Sequence, residues 1–189
     1  MPVKNVVSWN AMIAGYVHSH MFDEAISVFH EMLIDGKYKP DHTTLVSVLS
    51  ACSHLGSLEH GKWIHSYIKK NKLDLSVPLG NALIDMFAKC GDVENAKAVF
   101  EMMANKCIIT WTSMASGLAF NGQCREALDL FDRKCLQKIK PDVIIFIAVL
   151  SACTHCGLVE GKRVFDQMIL QFDIKPGIEH YGCMVDLLG

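Results

Sequence analysis

The same dozen residues occur twice in this chain, far apart. NVVSWNAMIAGY at 5–16 returns as CIITWTSMASGL at 107–118, with Trp, Met and Gly in the same frame. LVSVLSACSHLG at 45–56 likewise returns as FIAVLSACTHCG at 146–157. Similarity at a fixed spacing is typical of repeat proteins, in which one supersecondary unit is stacked along the chain. We therefore expect an array of similar units.

A shorter unit lies inside this long spacing. The related segments DEAISVF, ENAKAVF and REALDLF begin at residues 23, 94 and 125. One division accounts for these positions and for the 102 residues that separate Trp9 from Trp111. The predicted repeats are 6–41, 42–76, 77–107, 108–142 and 143–177. The element that returns is thus a triplet of repeats, and residue 108 begins the second triplet.

Partial repeats at the two ends complete the division. Residues 1–5, MPVKN, match the end of a preceding short repeat, and residues 178–189 match the first helix of another. We expect a single repeat array over 1–189, as a fragment or a truncated gene product. The segment at 156–163 is one residue shorter than its counterpart at 55–63, which predicts a distorted first turn in the second helix of the last repeat.

Each repeat contains two stretches with helical periodicity. In the first repeat, apolar residues recur three or four positions apart over 9–17 and again over 25–33. Pro40, Pro141 and Pro176 lie beyond second helices, where proline stops a helix from continuing. A two-helix unit of this size buries its apolar faces only against its neighbours. The predicted fold is all-α, a right-handed α-solenoid of helix-turn-helix repeats.

Composition limits the function classes that are open to the chain. It is 51% hydrophobic with a net charge of −2, so it lacks the basic character typical of nucleic-acid-binding proteins. The N-terminal segment resembles neither a signal sequence nor a transit peptide, and polar residues interrupt every long uncharged stretch. We therefore predict no membrane span. The eight cysteines fall within helical patterns, which predicts reduced thiols that pack as small apolar residues.

The segment CTHC at 153–156 is the strongest candidate for a metal site, because two thiolates at this spacing can hold one zinc ion. Cys153 and Cys52 occupy the same place in two repeats, however, so repetition explains the motif. No His is followed two residues later by Glu, the pair that a zinc-dependent deaminase requires. We predict no metal, no cofactor and no enzymatic activity.

Several segments together resemble a known family. VVSWNAMIAGY, LVSVLSACSHLGSLEHGKWIH and VPLGNALIDMFAKCGDVENAKAVFEMM resemble the standard, long and short motifs of plant pentatricopeptide repeat proteins. FIAVLSACTHCGLVEGKRVFDQM and IEHYGCMVDLLG resemble the closing long and short pair. The tetratricopeptide pattern, with its uniform period of about 34 residues, is a poorer match because one repeat here shortens to 31.

The resemblance implies a function and a location. It implies sequence-specific binding of single-stranded RNA, as part of an organellar RNA-processing factor that positions C-to-U editing. The implied partners are an organellar transcript, rather than DNA or a membrane, and proteins of the editing complex. The implied location is the mitochondrion or the chloroplast.

The resemblance also implies which side chains meet RNA. In this family each repeat meets one base, whose exposed edge is matched by side chains. The fifth and last residues of a repeat bond the base edge, and the second residue packs on the base. The implied pairs are Asn10 with Asp41, Asn81 with Cys107 and Thr112 with Asp142, and the implied packing residues include Val7, Pro78 and Ile109. Val46 and Ile147, at the other two fifth positions, offer no polar edge and are assigned no base.

The family's pairings imply a target. Asn10 with Asp41 implies uracil, Thr112 with Asp142 implies guanine, and Asn81 with Cys107 implies a pyrimidine. The predicted target is 5′-U-x-Y-G-3′. Two or three such contacts, at about 1–3 kcal/mol each, are offset by ordering costs. We therefore expect this segment alone to bind only at high micromolar concentration or more weakly.

Two alternatives remain open at this point. Asn10 and Thr112 are polar residues near helix starts, and Asp41 and Asp142 follow proline, so all four residues are also candidates for helix capping. The near-neutral charge and the apolar Val46 and Ile147 favour a protein-binding scaffold, or a relic fragment that binds no RNA.

Overall fold

The computed structural model describes residues 5–136, 141–157 and 159–188, except for the side chains at 134–136 and 188. These described residues contain eleven helices and no strand. The helices are α1 (Val6–His18), α2 (Phe22–Asp35), α3 (His42–Leu55), α4 (Leu58–Lys70), α5 (Val77–Lys89), α6 (Val93–Met102), α7 (Ile108–Phe120), α8 (Cys124–Leu136), α9 (Val143–His155), α10 (Glu160–Leu170) and α11 (Ile178–Leu188).

The odd-numbered helices begin at the residues where the sequence places the start of each repeat. These first residues are Val6, His42, Val77, Ile108, Val143 and Ile178. The partial repeat at 1–5 lies almost wholly outside the described residues, as does Gly189. The division of the chain into a single repeat array stays a prediction.

Side-chain caps explain why several first helices begin where they do. Asn5 accepts a hydrogen bond from the Ser8 N–H at 2.8 Å, before α1. Asp41 accepts from the Thr44 N–H at 2.9 Å before α3, and Asp142 from the Ile145 N–H at 3.0 Å before α9. Each bond satisfies an amide that has no partner within its own helix.

The chain packs into two compact units, residues 1–99 and 100–189. In unit 1, α3 packs on α1, α2, α4 and α5. In unit 2, α9 likewise packs on α7, α8, α10 and α11. In both units, therefore, a first helix contacts the first helices before and after it and the second helices on either side.

Equivalent tryptophans anchor the two cores. Trp9 is 1% exposed in α1 and Trp111 is 0% exposed in α7, where its ring packs edge-on against Phe100 at 5.0 Å between centroids. Burial of residues this large contributes much of the stabilisation of a small domain. Among the described residues, no helix has both the length and the apolar character that a membrane crossing requires.

Close helix approach depends on two glycines at the starts of second helices. A side chain added at Gly61 in α4 would collide with the Met86 thioether of α5. Gly161 has a similar place in α10, against Leu187 and Cys153. The helix α10 begins one residue before Gly161 and has 11 residues, whereas α4 begins three residues before Gly61 and has 13. The first turn is therefore shorter where the sequence is shorter, although Leu158 itself lies outside the described residues.

One expectation about the cysteines is wrong. Cys124 and Cys156 are joined by a disulfide, with 6.3 Å between their Cα atoms. Cys52 and Cys153 are buried free thiols, as predicted for small apolar residues. The sequence pattern assigns each cysteine to its own helix. It does not show that the first residue of α8 lies against the end of α9, 32 positions later.

Candidate nucleic-acid interface

The predicted base-packing residues are all exposed, and each is the second residue of a first helix. Val7 is 73% exposed on α1, Ile109 is 61% exposed on α7, and Pro78 is exposed on α5. These three side chains lie on the first turns of α1, α5 and α7 and point away from the cores of their units. They are available to a partner with apolar faces.

The predicted pair Asn10 and Asp41 lies in direct contact in unit 1. The Asn10 amide nitrogen donates to both carboxylate oxygens of Asp41, each at 3.1 Å. The Thr44 hydroxyl donates to the Asn10 amide oxygen at 2.5 Å. Asn10 is the fifth residue of α1 and Asn5 is the cap, so Asn10 does not cap its own helix.

The carboxylate of Asp41 has two roles at once. It caps α3 through the Thr44 N–H and also accepts from Asn10 of the preceding repeat. Partial burial alone would raise the pKa of Asp41. Hydrogen bonds from the Thr44 and Thr43 amides, from Asn10 and from the Thr44 hydroxyl more than offset this, so its pKa lies below the ordinary value. The pair therefore holds a fixed negative charge beside an oriented amide.

The predicted pair in unit 2 is arranged differently. Asp142 caps α9, and no hydrogen bond joins it to Thr112 in the described part of the chain. The Thr112 hydroxyl oxygen is buried and has no hydrogen-bond partner there. Thr112 is the fifth residue of α7, whose N-cap is Cys107, so Thr112 is not a cap either. A buried hydroxyl without a hydrogen-bond partner costs free energy.

The third predicted pair is divided between the units. Asn81 is a partly buried residue of α5 in unit 1, and Cys107 precedes α7 in unit 2. The Cys107 N–H donates to the Thr110 hydroxyl at 3.2 Å, as at other helix starts. The joint role of Asn81 and Cys107 stays a prediction.

A cleft of about 260 Å³ opens in unit 1 where the sequence assigned no base. Two of its residues, Thr43 and Pro78, are second residues of neighbouring repeats. Its full lining is His42, Thr43, Val46, Ser47, Ser76 and Pro78. The sequence assigns this position no base because Val46 offers no polar edge, and the pattern carries no signal for His42 or Ser47. The repeat frame itself was the available signal. In it Thr43, Val46 and Ser76 are the second, fifth and last residues of repeat 42–76, and Pro78 is the second residue of the next repeat.

The described residues contain no cluster of three or more His, Cys, Asp or Glu side chains suited to a metal ion. In the CTHC segment, Cys156 is bonded to Cys124, and burial raises the pKa of Cys153 to about 11. The two thiols of the motif are therefore not a pair of free thiolates that face one ion.

Two family models match the chain. One describes a PPR repeat family and covers residues 4–54; the other describes the PPR repeat and covers 81–108 and 109–134. The chain belongs to the pentatricopeptide repeat (PPR) family. Its helix pairs agree with that membership.

Similar PPR proteins are known from Arabidopsis thaliana. The chain is 44% identical over 191 residues to the pentatricopeptide repeat-containing protein CRR2, chloroplastic, with 100% of this chain and 29% of CRR2 covered. It is 45% identical over 192 residues to a PPR protein named as mitochondrial, again with 100% and 29% covered. The chain thus spans less than a third of the length of these relatives.

Solved structures show the same fold. PPR10 in complex with an 18-nt psaJ RNA element has a TM-score of 0.84 and 19% identity, over 98% of this chain and 28% of that chain. PPR10 from maize has a TM-score of 0.75 and 23% identity, over 98% and 27%. At these identities the likeness establishes the fold alone. The predicted all-α solenoid of helix-turn-helix repeats is confirmed.

Proposed function

We propose that this PPR chain binds single-stranded RNA sequence-specifically, one base per repeat, as part of an organellar RNA-processing factor that positions C-to-U editing. The observation that carries the proposal is the Asn10–Asp41 pair, linked at 3.1 Å at the start of α1 and α3. An exposed apolar residue, Val7, lies on the same first turn.

The chemistry of this pair suits a pyrimidine edge. An amide has two N–H donors and an acceptor oxygen, and a carboxylate accepts only. Uracil presents an N–H donor between two carbonyl acceptors. Asn10, held by Asp41 and Thr44, has its amide plane oriented before any base arrives. A group that is already ordered loses less conformational freedom on binding, which favours affinity.

Thr112 suits a different base. A hydroxyl both donates and accepts, and that of Thr112 has no partner in the described part of the chain. With Asp142 as the paired acceptor, we infer that this repeat reads guanine. Asn81 and Cys107 are proposed to read a pyrimidine. The predicted target remains 5′-U-x-Y-G-3′.

The packing residues supply contact that is independent of sequence. Val7, Pro78 and Ile109 are proposed to lie against base faces. Thr43, which lines the 260 Å³ cleft, is proposed to do the same. Contacts to the face of a base tolerate every base because each has such a face. Specificity must therefore come from the fifth and last residues.

The relatives support the organellar setting. CRR2 is named as chloroplastic and another relative as mitochondrial, and PPR10 is solved with an RNA element. We infer that the whole protein acts on an organellar transcript, with editing-complex proteins as further partners. With a net charge of −2 and only about a quarter of the length of such proteins, this segment is expected to bind RNA in the high micromolar range.

The test is equilibrium binding of short RNAs that carry U-x-Y-G, or U-x-Y-U, to the wild type and to Thr112→Asn. We expect the wild type to prefer guanine at the fourth base and the variant to shift toward uracil, by roughly 5- to 100-fold in the ratio of dissociation constants. Ser113→Asn is the matched control, because it adds the same amide one position along α7 and should leave the preference unchanged.

Absence of RNA binding would contradict the proposal. If neither protein binds any RNA at high micromolar concentration and low salt, base reading by this segment is wrong. The protein-binding scaffold, or a relic fragment that binds no RNA, would then take its place, as the weak charge favours.

A further inference from the structure

Two cysteines in unit 2, Cys124 and Cys156, differ from the other described cysteines because they are joined by a disulfide. Cys124 is the first residue of α8 and is 2% exposed, whereas Cys156 follows α9 and is exposed. They form the one disulfide among the described residues. Cys156 is therefore the more accessible residue of the pair, and Cys124 is the sheltered one.

The buried free thiols have a different chemistry. Burial raises the pKa of Cys52 to about 12 and that of Cys153 to about 11. Burial also raises the pKa of Cys90. Thiols in such surroundings hold their protons at neutral pH and are poor nucleophiles. Among the described cysteines, Cys52, Cys90 and Cys153 are therefore poor partners for thiol exchange.

The equivalent contact in unit 1 uses no sulfur. Phe22, the first residue of α2, occupies the place of Cys124, and its ring stacks on His54 near the end of α3 at 4.5 Å between centroids. In unit 1, aromatic packing thus joins α2 to α3, the helices that correspond to α8 and α9 in unit 2. The fold forms this contact without a covalent bond, so the disulfide in unit 2 adds something that the helix arrangement does not require.

We propose that Cys124 and Cys156 are a reversible thiol–disulfide exchange site that takes glutathione, or a thiol of similar size, as its co-substrate. In the reducing direction, a glutathione thiolate attacks the exposed Cys156 sulfur, the Cys124–Cys156 bond breaks, and Cys124 leaves as a thiolate. A second glutathione thiolate then attacks the mixed disulfide, releasing Cys156 and glutathione disulfide. Two glutathione molecules are oxidised, and the two protons they give up go to the protein thiols.

Accessibility sets the direction of attack, because Cys156 is exposed and Cys124 is buried. The leaving thiolate would form on the first turn of α8, where the helix dipole favours negative charge and Glu126 in the same turn opposes it. Oxidation is the reverse reaction, with glutathione disulfide as the oxidant. The proposal does not depend on RNA binding.

Exchange at this site would change the stability of unit 2. The bond links residues 32 positions apart, and such a link restricts the unfolded chain. We expect the reduced protein to melt about 5–15 °C below the oxidised protein.

The experiment equilibrates the purified chain in glutathione buffers of different ratios, traps free thiols with N-ethylmaleimide, and maps the peptides by mass spectrometry. We expect Cys124 and Cys156 to pass together from linked to labelled as the fraction of reduced glutathione rises, with the melting temperature falling in parallel. Cys156→Ser should remove the redox dependence of melting. Cys183→Ser, at another partly exposed thiol, should retain it.

Two results would overturn the proposal. One is a labelled, unlinked pair in the most oxidising buffer. The other is a pair that stays linked in excess reduced glutathione while circular dichroism shows a folded protein. Cys124→Ser gives an independent check, because Cys156 should then accumulate a glutathione adduct in oxidising buffer. Failure to form that adduct would contradict attack at Cys156.

Discussion

The two units repeat the same helical frame with different chemistry on it. Trp9 and Trp111 are buried in equivalent places, and Asp41 and Asp142 cap equivalent helices. Outside the core, the units diverge. Asn10 is bonded to Asp41, whereas the Thr112 hydroxyl is unbonded in the described part of the chain. The buried frame is thus shared, and variation is concentrated at the fifth positions and at contacts between helices.

A second difference lies at the contact between a second helix and the following first helix. Unit 1 uses stacked rings, Phe22 on His54, and unit 2 uses the Cys124–Cys156 disulfide. Two unlike chemistries thus join corresponding helices, although Cys156 corresponds to Leu55 rather than to His54. The packing of helix pairs therefore tolerates large changes at this contact, while the tryptophans leave no comparable freedom.

The largest expected effect tests what the units share. Trp111→Ala and Trp9→Ala should each lower the free energy of unfolding by about 3–5 kcal/mol, because each leaves a large cavity in a buried site. Urea unfolding followed by circular dichroism measures the loss. Trp63→Ala is the control, since Trp63 is 47% exposed, and should cost much less. A small loss at Trp111 would mean that the shared core is not what stabilises unit 2.

A smaller effect tests where the units differ. Asp142→Ala should cost about 1 kcal/mol, as the loss of one helix cap. Asp41→Ala should cost about 2–3 kcal/mol, because it also removes the acceptor for the Asn10 amide. Thermal unfolding of the two variants measures the difference. Equal losses would show that the Asn10–Asp41 contact adds no stability.

The smallest expected effect is a dependence on pH. The Asp41 carboxyl has a lowered pKa in the folded chain, so its contribution is complete above its ordinary pKa of 3.8 and is lost as pH falls through the lower folded value. Asp41→Asn should therefore lose less stability than the wild type when pH falls from about 5 to about 2. Melting temperatures at a series of pH values test this.

The control for this measurement removes a carboxyl elsewhere. Asp23→Asn lies at an exposed position on α2. If it flattens the pH profile as much as Asp41→Asn does, then general charge accounts for the effect and the hydrogen bonds to Asp41 do not.

Helix starts and pairings within the repeat frame were accessible from the sequence. The repeat spacing placed the first residues of the odd-numbered helices. The family resemblance, not the spacing, implied the pair Asn10 and Asp41, whose side chains lie 3.1 Å apart in the structure. Periodicity and repeat spacing are enough for the helix starts because both are properties of the chain itself. The role of these residues toward RNA stays a prediction.

Other features depend on distances between helices. Thr44 completes the Asn10–Asp41 network only because its side chain points back across the repeat boundary. The disulfide depends on how closely the start of α8 approaches the end of α9. The cleft beside Val46 depends on the gap between Thr43 and Pro78. None of these distances is encoded in a spacing along the chain.

The exposed second residues share a property that bears on recognition. In the five complete predicted repeats, four of the second residues are β-branched and the fifth is proline; they are Val7, Thr43, Pro78, Ile109 and Ile144. In a helix, a β-branched side chain has few accessible χ1 states, and proline has almost none to lose. A base that packs on them therefore restricts side chains that already had few rotamers. The entropic penalty of contact is thus incurred during folding, before any ligand is present.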